Sequence, residues 1–271
     1  MHLLPLPEGE GWGEGSNEGN IMYLENPKKF GMLVEQAHQV ALNVLRPISR
    51  KYDKAEHAYP KELDMLASLL DGMNEGAPGS AGATSATGGS SNSNAGEVKN
   101  GSNMSTALGI MEMCWGDVGL LLAMPRQGLG NAAIAAVAND EQLERFKGTW
   151  AAMAITEPNC GSDSAAIRTT AVKDGDDYIL NGEKIYVTSG ARADSVVVWA
   201  TLDKNIGRAA IKSFVVKHGT PGMEIARLEK KLGIKASDTA AINFTDCRVP
   251  AANLLGSPAI DAHQGFAGVM Q

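Results

Sequence analysis

Ile155-Thr156-Glu157-Pro158-Asn159-Cys160-Gly161-Ser162-Asp163 is an apolar strand end running directly into a polar turn that holds both proline and glycine. Pro158 lacks a backbone N–H and cannot extend a sheet ladder, so the chain has to leave the strand there. Thr156 offers a hydroxyl at the strand end, Gly161 lets backbone N–H groups approach an anion closely, and Ser162 adds a second hydroxyl. These donors suit a pyrophosphate together with the heteroatom edge of a ring system. The same residues would also make a simple capped loop, and this stretch alone leaves both readings open.

The alternation that ends at Thr156 begins at Trp150. It returns at Tyr178–Leu180, Ile185–Thr188, Ser195–Thr201, Ile211–Val216 and Ala240–Phe244, which predicts a β half. Asp174-Gly175 and Asn181-Gly182 are dipeptides favoured in two-residue hairpin turns, where both central positions take positive φ, so antiparallel pairing is expected. The segment from Gly182 to Gly190 leaves such a turn as a strand, with Tyr186 and Thr188 on one face. A ring and a hydroxyl so placed suit a planar cofactor, although the pair taken alone is ordinary strand composition.

Before residue 150 the period is helical. Asn26-Pro27 starts a helix carrying Phe30, Leu33, Val34, Ala37, Val40, Val44 and Ile48, which Pro47 is expected to kink or end. A second helix opens at Pro60 with Leu63, Leu66, Ala67 and Leu70 on one face. Helical spacing returns with Leu108, Met111 and Trp115, and Asp117 is expected to cap a further segment ending near Met124 and Pro125. Another helix is expected over 131–138. Asn139 and Gln142 then form a capping-box pattern opening a short helix that Gly148 closes. Residues 1–25 read as a flexible tail, and 75–103, almost free of large apolar residues, as a low-complexity flexible insertion. Beyond Val249-Pro250 the spacing of Ile260, Phe266 and Val269 is helical again up to Gln271.

At ~100–200 residues per domain, 271 residues allow two modest domains. The composition, 44% hydrophobic and 20% charged, is that of a globular chain. The net charge of −7 gives phosphate backbones and anionic membranes no attraction, so neither nucleic acid nor membrane is an expected partner. Cys114, Cys160 and Cys247 are odd in number and far apart, which fits neither a disulfide framework nor a zinc cluster. A cytoplasmic location is expected.

Taken together, several stretches resemble the acyl-CoA dehydrogenase family. Thr156 to Asp163 matches its Thr-Glu-Pro-x-x-Gly-Ser-Asp signature, and Asn181-Gly182-Glu183-Lys184 with Val187-Thr188 matches the strand pair that follows. Arg46-Pro47 through Tyr52-Asp53 and on to Tyr59-Pro60 resembles the family's first helix pair, and 141–146 the helix before its β domain. Leu232-Gly233-Ile234, Arg248-Val249-Pro250 and Asn253-Leu254-Leu255-Gly256 complete the likeness.

The resemblance implies an α+β fold: an N-terminal all-helical domain at 26–149, an antiparallel β-barrel or sandwich middle domain at 150–256, and at 257–271 the start of a truncated C-terminal helical domain. It implies FAD, with Met153, Ala154, Ile155 and Thr156 lining the flavin and the Thr156 hydroxyl near its reactive nitrogen. Gly161 and Ser162 would serve the pyrophosphate and the thioester substrate, while Tyr186, Val187 and Thr188 cover the flavin's other face. Tyr186 stands where many relatives carry Trp. The implied reaction takes an acyl-CoA to its 2-enoyl-CoA by loss of an α-proton to a carboxylate and of a β-hydride to the flavin. An electron-transfer flavoprotein would be the acceptor and a homo- or hetero-oligomer the assembly. The family's base would lie beyond Gln271, and Glu157, next to Thr156 in the binding turn, is expected to be structural.

Two other readings compete. Gly128-Leu129-Gly130-Asn131-Ala132-Ala133 partly matches a dinucleotide fingerprint, but Pro125, Arg126 and Gln127 separate it from the apolar run, and no strand-ending acid follows at the right distance. A non-catalytic flavin-binding or partner-stabilising subunit is the other. His57 and His218 are expected as solvated surface residues, and Met111, Met113 and Met124 as core packing.

Overall fold

The computed structural model describes residues 28–74, 102–126 and 129–260. The expected tail at 1–25, the helix expected over 261–271 and all but the last two residues of the 75–103 segment lie outside the described residues, as does Gly128.

Helical spacing from Phe30 produces one continuous rod, α1 (Gly31–Val40) and α2 (Arg46–Lys54), joined by a π turn at Ala41–Leu45. Pro47 does not end it. In the wide turn the Arg46 N–H reaches back to the Ala41 carbonyl, and this local loosening accommodates a proline ring that would crowd the carbonyl four residues earlier. α3 (Glu62–Asn74) buries Leu63, Leu66 and Ala67; the Leu70 side chain lies outside the described residues. α4 (Ser102–Leu122) breaks at Asp117, whose extended backbone and Oδ1, accepting from the Leu120 N–H at 2.8 Å, make it the expected cap of a new segment. The Ser49 hydroxyl donates to its other oxygen.

Leu45, Tyr52, Leu63, Leu66, Leu120 and Met124 form the helical core, with Met113 packed against it. Met111 and Trp115 are exposed instead, the Trp115 ring lying against His38 and beneath Arg46 at the surface. His57 departs from expectation in the opposite sense. Both its ring nitrogens are buried without a hydrogen-bond partner where its backbone N–H meets the Lys235 carbonyl, whereas His218 is exposed as expected.

The second half is one curled sheet of seven strands: β1 (Ala151–Ala154), β2 (Thr170–Asp174), β3 (Asp177–Thr188), β4 (Ser195–Thr201), β5 (Ile211–Lys217), β6 (Met223–Leu228) and β7 (Thr239–Pro250). Their order is β1-β4-β2-β3-β7-β6, with β5 also on β4. The sheet is mixed rather than purely antiparallel, because β1 arrives from the helices and lies parallel to β4, and β2 touches β4 in the same sense at Thr170 and Thr201.

Only one of the two expected hairpin turns is present. Gly175 and Asp176 turn the chain from β2 to β3, and of these only Gly175 has positive φ, at 59°. At Asn181-Gly182, β3 runs straight through with a bulge, and a Cβ on Gly182 would meet the Thr169 hydroxyl at 2.4 Å. β2 and β6 carry exposed polar side chains and no strong apolar alternation, so the sequence did not announce them.

β4 is buried along its whole length. Val196, Val198 and Ala200 face the inside of the curl with Leu180, Phe214 and Ile242, while Val197 and Trp199 lie on the other side with Ala133 and Ile134 of α5 (Leu129–Val137). α6 (Asp140–Arg145) carries the expected capping box, Gln142 N–H to Asn139 Oδ1 at 2.9 Å and Asn139 N–H to Gln142 Oε1 at 3.2 Å. Gln142 also donates to the Leu254 carbonyl at 2.6 Å, and the Leu255 N–H donates to the Ser213 carbonyl, which covers the edge of β5.

Gly130 owes its place to packing rather than to a nucleotide. A Cβ there would lie 2.3 Å from the carbonyl oxygens of both Ala151 and Ala152, so the helix rests its backbone directly on β1. Helix propensity alone would make Gly130→Ala stabilising by ~1 kcal/mol. Overpacking against rigid backbone costs ~1–3 kcal/mol or more. The expected outcome is a lower urea midpoint for Gly130→Ala, and a raised midpoint would refute the close contact.

Candidate functional site

The signature turn is closed by two backbone hydrogen bonds, Glu157 N–H to the Cys160 carbonyl at 3.0 Å and Cys160 N–H to the Glu157 carbonyl at 3.1 Å, around Pro158-Asn159. The Ile185 N–H donates to the Thr156 carbonyl at 2.9 Å, which brings the end of β1 beside the second half of β3. Under this turn the Glu157 carboxylate points inward. Its Oε1 accepts from Lys184 Nζ at 2.7 Å, the Thr169 N–H at 3.0 Å and the Thr169 hydroxyl at 2.6 Å, and its Oε2 from the Arg168 N–H at 2.7 Å. Lys184 Nζ also donates to the Ile155 carbonyl at 3.0 Å.

The Lys184 and Glu157 side chains are only 0% and 7% exposed. Burial alone would push the Glu157 carboxyl up, but the Lys184 charge and the converging donors outweigh it and hold the group below its ordinary value. Burial lowers Lys184, against the pull of Glu157, and raises the neighbouring Cys160 thiol. The pair is structural, as the sequence led one to expect for Glu157. Its carboxylate oxygens are occupied and cannot reach a substrate.

The anticipated contact residues divide into two kinds. Ala154 and Val187 are buried in the barrel core, so only their backbone can face a ligand, and Met153 and Ile155 pack partly against the α5 side. Thr156 is half-buried, and Gly161, Ser162, Tyr186 and Thr188 are exposed. Tyr186 occupies a bulge: Lys184 pairs with Ile242 and Val187 with Ala240, leaving Tyr186 at φ 57° with 63% of its surface open.

Among the described residues the hydroxyls of Thr156, Ser162 and Thr188 make no hydrogen bond, nor do the N–H groups of Gly161 and Ser162. An exposed aromatic plane, free hydroxyls and a glycine-bearing turn with free amides fit a flavin nucleotide. Beside the turn, a cavity of about 400 Å³ is lined by Arg168 and Lys204 with Ala165, Ile167 and Thr201, a setting in which two cations suit a phosphate group.

Lys184, Thr169 and the Arg168 amide are the residues that sequence reasoning missed. Lys184 was visible only as part of the Asn-Gly-Glu-Lys run, and nothing in the spacing of 157 and 184 announces a pair. Removing one partner leaves a buried charge uncompensated, so Glu157→Gln or Lys184→Met is expected to cost ~3–5 kcal/mol in urea unfolding, with the double variant closer to wild type. Because the carboxyl is held below its ordinary value of 4.5, its contribution is complete at neutral pH and is lost as pH falls through the lower folded value. Acid titration of stability below about pH 4.5 is expected to be shallower in Glu157→Gln. Equal slopes would show that the pair does not govern it.

Residues 152–247 match the family model described as "Acyl-CoA dehydrogenase, middle domain". An acryloyl-CoA reductase (NADH) of Anaerotignum propionicum is 46% identical over 111 residues, 40% of this chain and 28% of that protein. An acyl-CoA dehydrogenase of Bacillus subtilis is 36% identical over 158 residues, 56% of this chain and 41% of that protein. The solved butyryl-CoA dehydrogenase of Megasphaera elsdenii superposes with a TM-score of 0.67 at 28% identity, covering 92% of this chain and 62% of that one. The chain therefore spans well under two thirds of the length of the curated relatives it matches. With the curled mixed sheet, the helical region before it and the signature turn at 156–163 all in place, the chain is similar in sequence to the acyl-CoA dehydrogenase middle domain over 152–247 and similar in fold to solved acyl-CoA dehydrogenases over most of its length.

Proposed function

We propose that this chain supplies the helical and β parts of a flavin-dependent dehydrogenase that converts an acyl-CoA thioester to its 2-enoyl-CoA. The observation that carries this reading is the set of unpaired donors at 156, 161, 162 and 188, together with the exposed Tyr186 ring in the second half of β3, whose Ile185 N–H donates to the Thr156 carbonyl. When bound, FAD supplies the hydride acceptor. Thr156 would hold the polar edge of the flavin by its hydroxyl near the reactive nitrogen, and Tyr186 with Val187 and Thr188 would cover the other face and exclude water from it. Met153, Ala154, Ile155 and Val187 shape the remaining wall, chiefly through backbone. Gly161 and Ser162 donate to the pyrophosphate, and Ser162 also to the thioester ligand.

Arg168 and Lys204 offer charge to a phosphate at the adjoining cavity. The base that takes the α-proton would be a carboxylate of the family's C-terminal helical bundle, which follows the domains at 26–149 and 150–256. Glu157 is already engaged. An electron-transfer flavoprotein accepts the electrons, the assembly is oligomeric, and the location is cytoplasmic; among the described residues no helix is long and apolar enough to cross a membrane.

The test is reconstitution of the purified chain with FAD, followed by anaerobic addition of an acyl-CoA. Bound, yellow flavin is expected, with bleaching only when the C-terminal helical bundle that carries the base is supplied alongside. Thr156→Ala is expected to weaken FAD binding up to roughly tenfold, the worth of one hydrogen bond. A protein that takes up no FAD would sink the reading, and bound flavin that no acyl-CoA reduces even with that bundle supplied would leave a flavin-binding subunit in its place.

A further inference from the structure

Immediately after Thr188 the chain turns through Ser189, Gly190 and Ala191 to Arg192, whose side chain is only 9% exposed. The Ser189 N–H donates to the Asp238 carbonyl at 3.1 Å, and the Ala191 N–H to Asp238 Oδ2 at 3.0 Å. Arg192 then closes the arrangement from three directions. Its Nε lies 3.3 Å from Asp238 Oδ1, Nη1 donates to the Ala236 carbonyl at 3.1 Å, and Nη2 donates to the His57 and Ala58 carbonyls at 3.2 and 3.0 Å. The last two belong to the corner between α2 and α3. One guanidinium therefore binds the helical part, the 234–238 loop and the end of β3 at a single point.

The surroundings leave it no substitute. Lys231 Nζ is directed to the Ser237 carbonyl at 2.6 Å and the Thr239 hydroxyl at 3.0 Å, and the Lys231 N–H to Glu56 at 3.0 Å. The Tyr59 ring lies 5.6 Å from the guanidinium. Each polar contact is made once, and the planar fork of arginine is what lets one side chain reach several carbonyls that an ammonium could not reach together.

We infer that Arg192 is a positioning residue, which sets the placement of Tyr186 and Thr188 according to how the α2–α3 corner docks on the sheet. Tyr186 is in a bulge and pairs with no residue of β7, so its placement follows from its flanks: Lys184 on Glu157 and Ile185 on Thr156 before it, and after it Val187 and Thr188 on β7, whose end Ser189 and Arg192 hold on Asp238. The importance of that placement rests on the proposed flavin site.

The test uses the full chain with Arg192→Gln and Arg192→Lys, and Gly130→Ala as a variant weakened elsewhere. Amide hydrogen exchange without ligand is expected to speed roughly tenfold or more over 186–191 in Arg192→Gln, and not over those residues in Gly130→Ala. Arg192→Lys is expected to recover only part of the protection. In the FAD-loaded protein the visible absorption of the flavin is expected to shift in Arg192→Gln. Equal acceleration in Gly130→Ala, full recovery by lysine, or an unshifted flavin band over a loosened strand end would each overturn the inference. If wild type takes up no FAD, the flavin reading falls by itself and the exchange pattern still decides whether Arg192 holds this strand end.

Discussion

The buried pair of Glu157 and Lys184 is the constraint around which the β half is organised. Two charges taken out of water are tolerable only when every lone pair and proton has a partner. Here the partners come from four different places: the end of β1, the start of β2, the middle of β3 and the signature turn itself. Satisfying the pair therefore fixes those segments relative to one another. The exposed rim of Thr156, Gly161 and Ser162 is a by-product of that inward commitment, since the glutamate is drawn under the turn and the neutral hydroxyls and amides remain outside. A hydrophobic pair would also fill the space, but it would not dictate the positions of four donors.

The rest of the β half supplies rigidity on both sides of this lock. β4 is buried on each face, against the barrel interior and against α5, so the sheet cannot slide without exposing Val196 and Val198 or Val197 and Trp199. The α5 backbone presses on β1 at Gly130, and Gln142 joins α6 to the segment covering β5. The helical half meets the sheet through polar contacts at 57, 58, 192 and 236 together with Ala236, which inserts into the helical core.

Much of this was legible from local chemistry. The Asp117 cap, the Asn139–Gln142 box and β4 all rest on side chains acting within a few residues, and each emerged where the spacing placed it. What failed was decided at a distance. Asn181-Gly182 has the chemistry of a turn, yet β7 pairs along all of β3 and Thr169 crowds the glycine, so the strand continues. Met111 and Trp115 have core spacing, but the helix turns that side outward. The parallel placing of β1 beside β4 depends on where the helices deliver the chain. The proposed site residues came from the signature itself and the strand pair that follows it, whereas Lys184 and Arg192 have partners far away in sequence, and no spacing rule reaches them.

The wide turn in the first helical rod has a consequence for how its sequence can change. An α-helix advances each side chain by about 100°, so inserting or deleting a residue upstream normally rotates everything beyond it onto a different face. A turn that already holds one residue more than its neighbours takes up that rotation locally. Val40 and Val44 before and within it, and Ile48 and Tyr52 after it, thereby stay directed at the same core. Loss of a single residue within 41–45 would restore a regular helix and turn Tyr52 away from the space it fills, making this short stretch less tolerant of length change than the exposed helix around it.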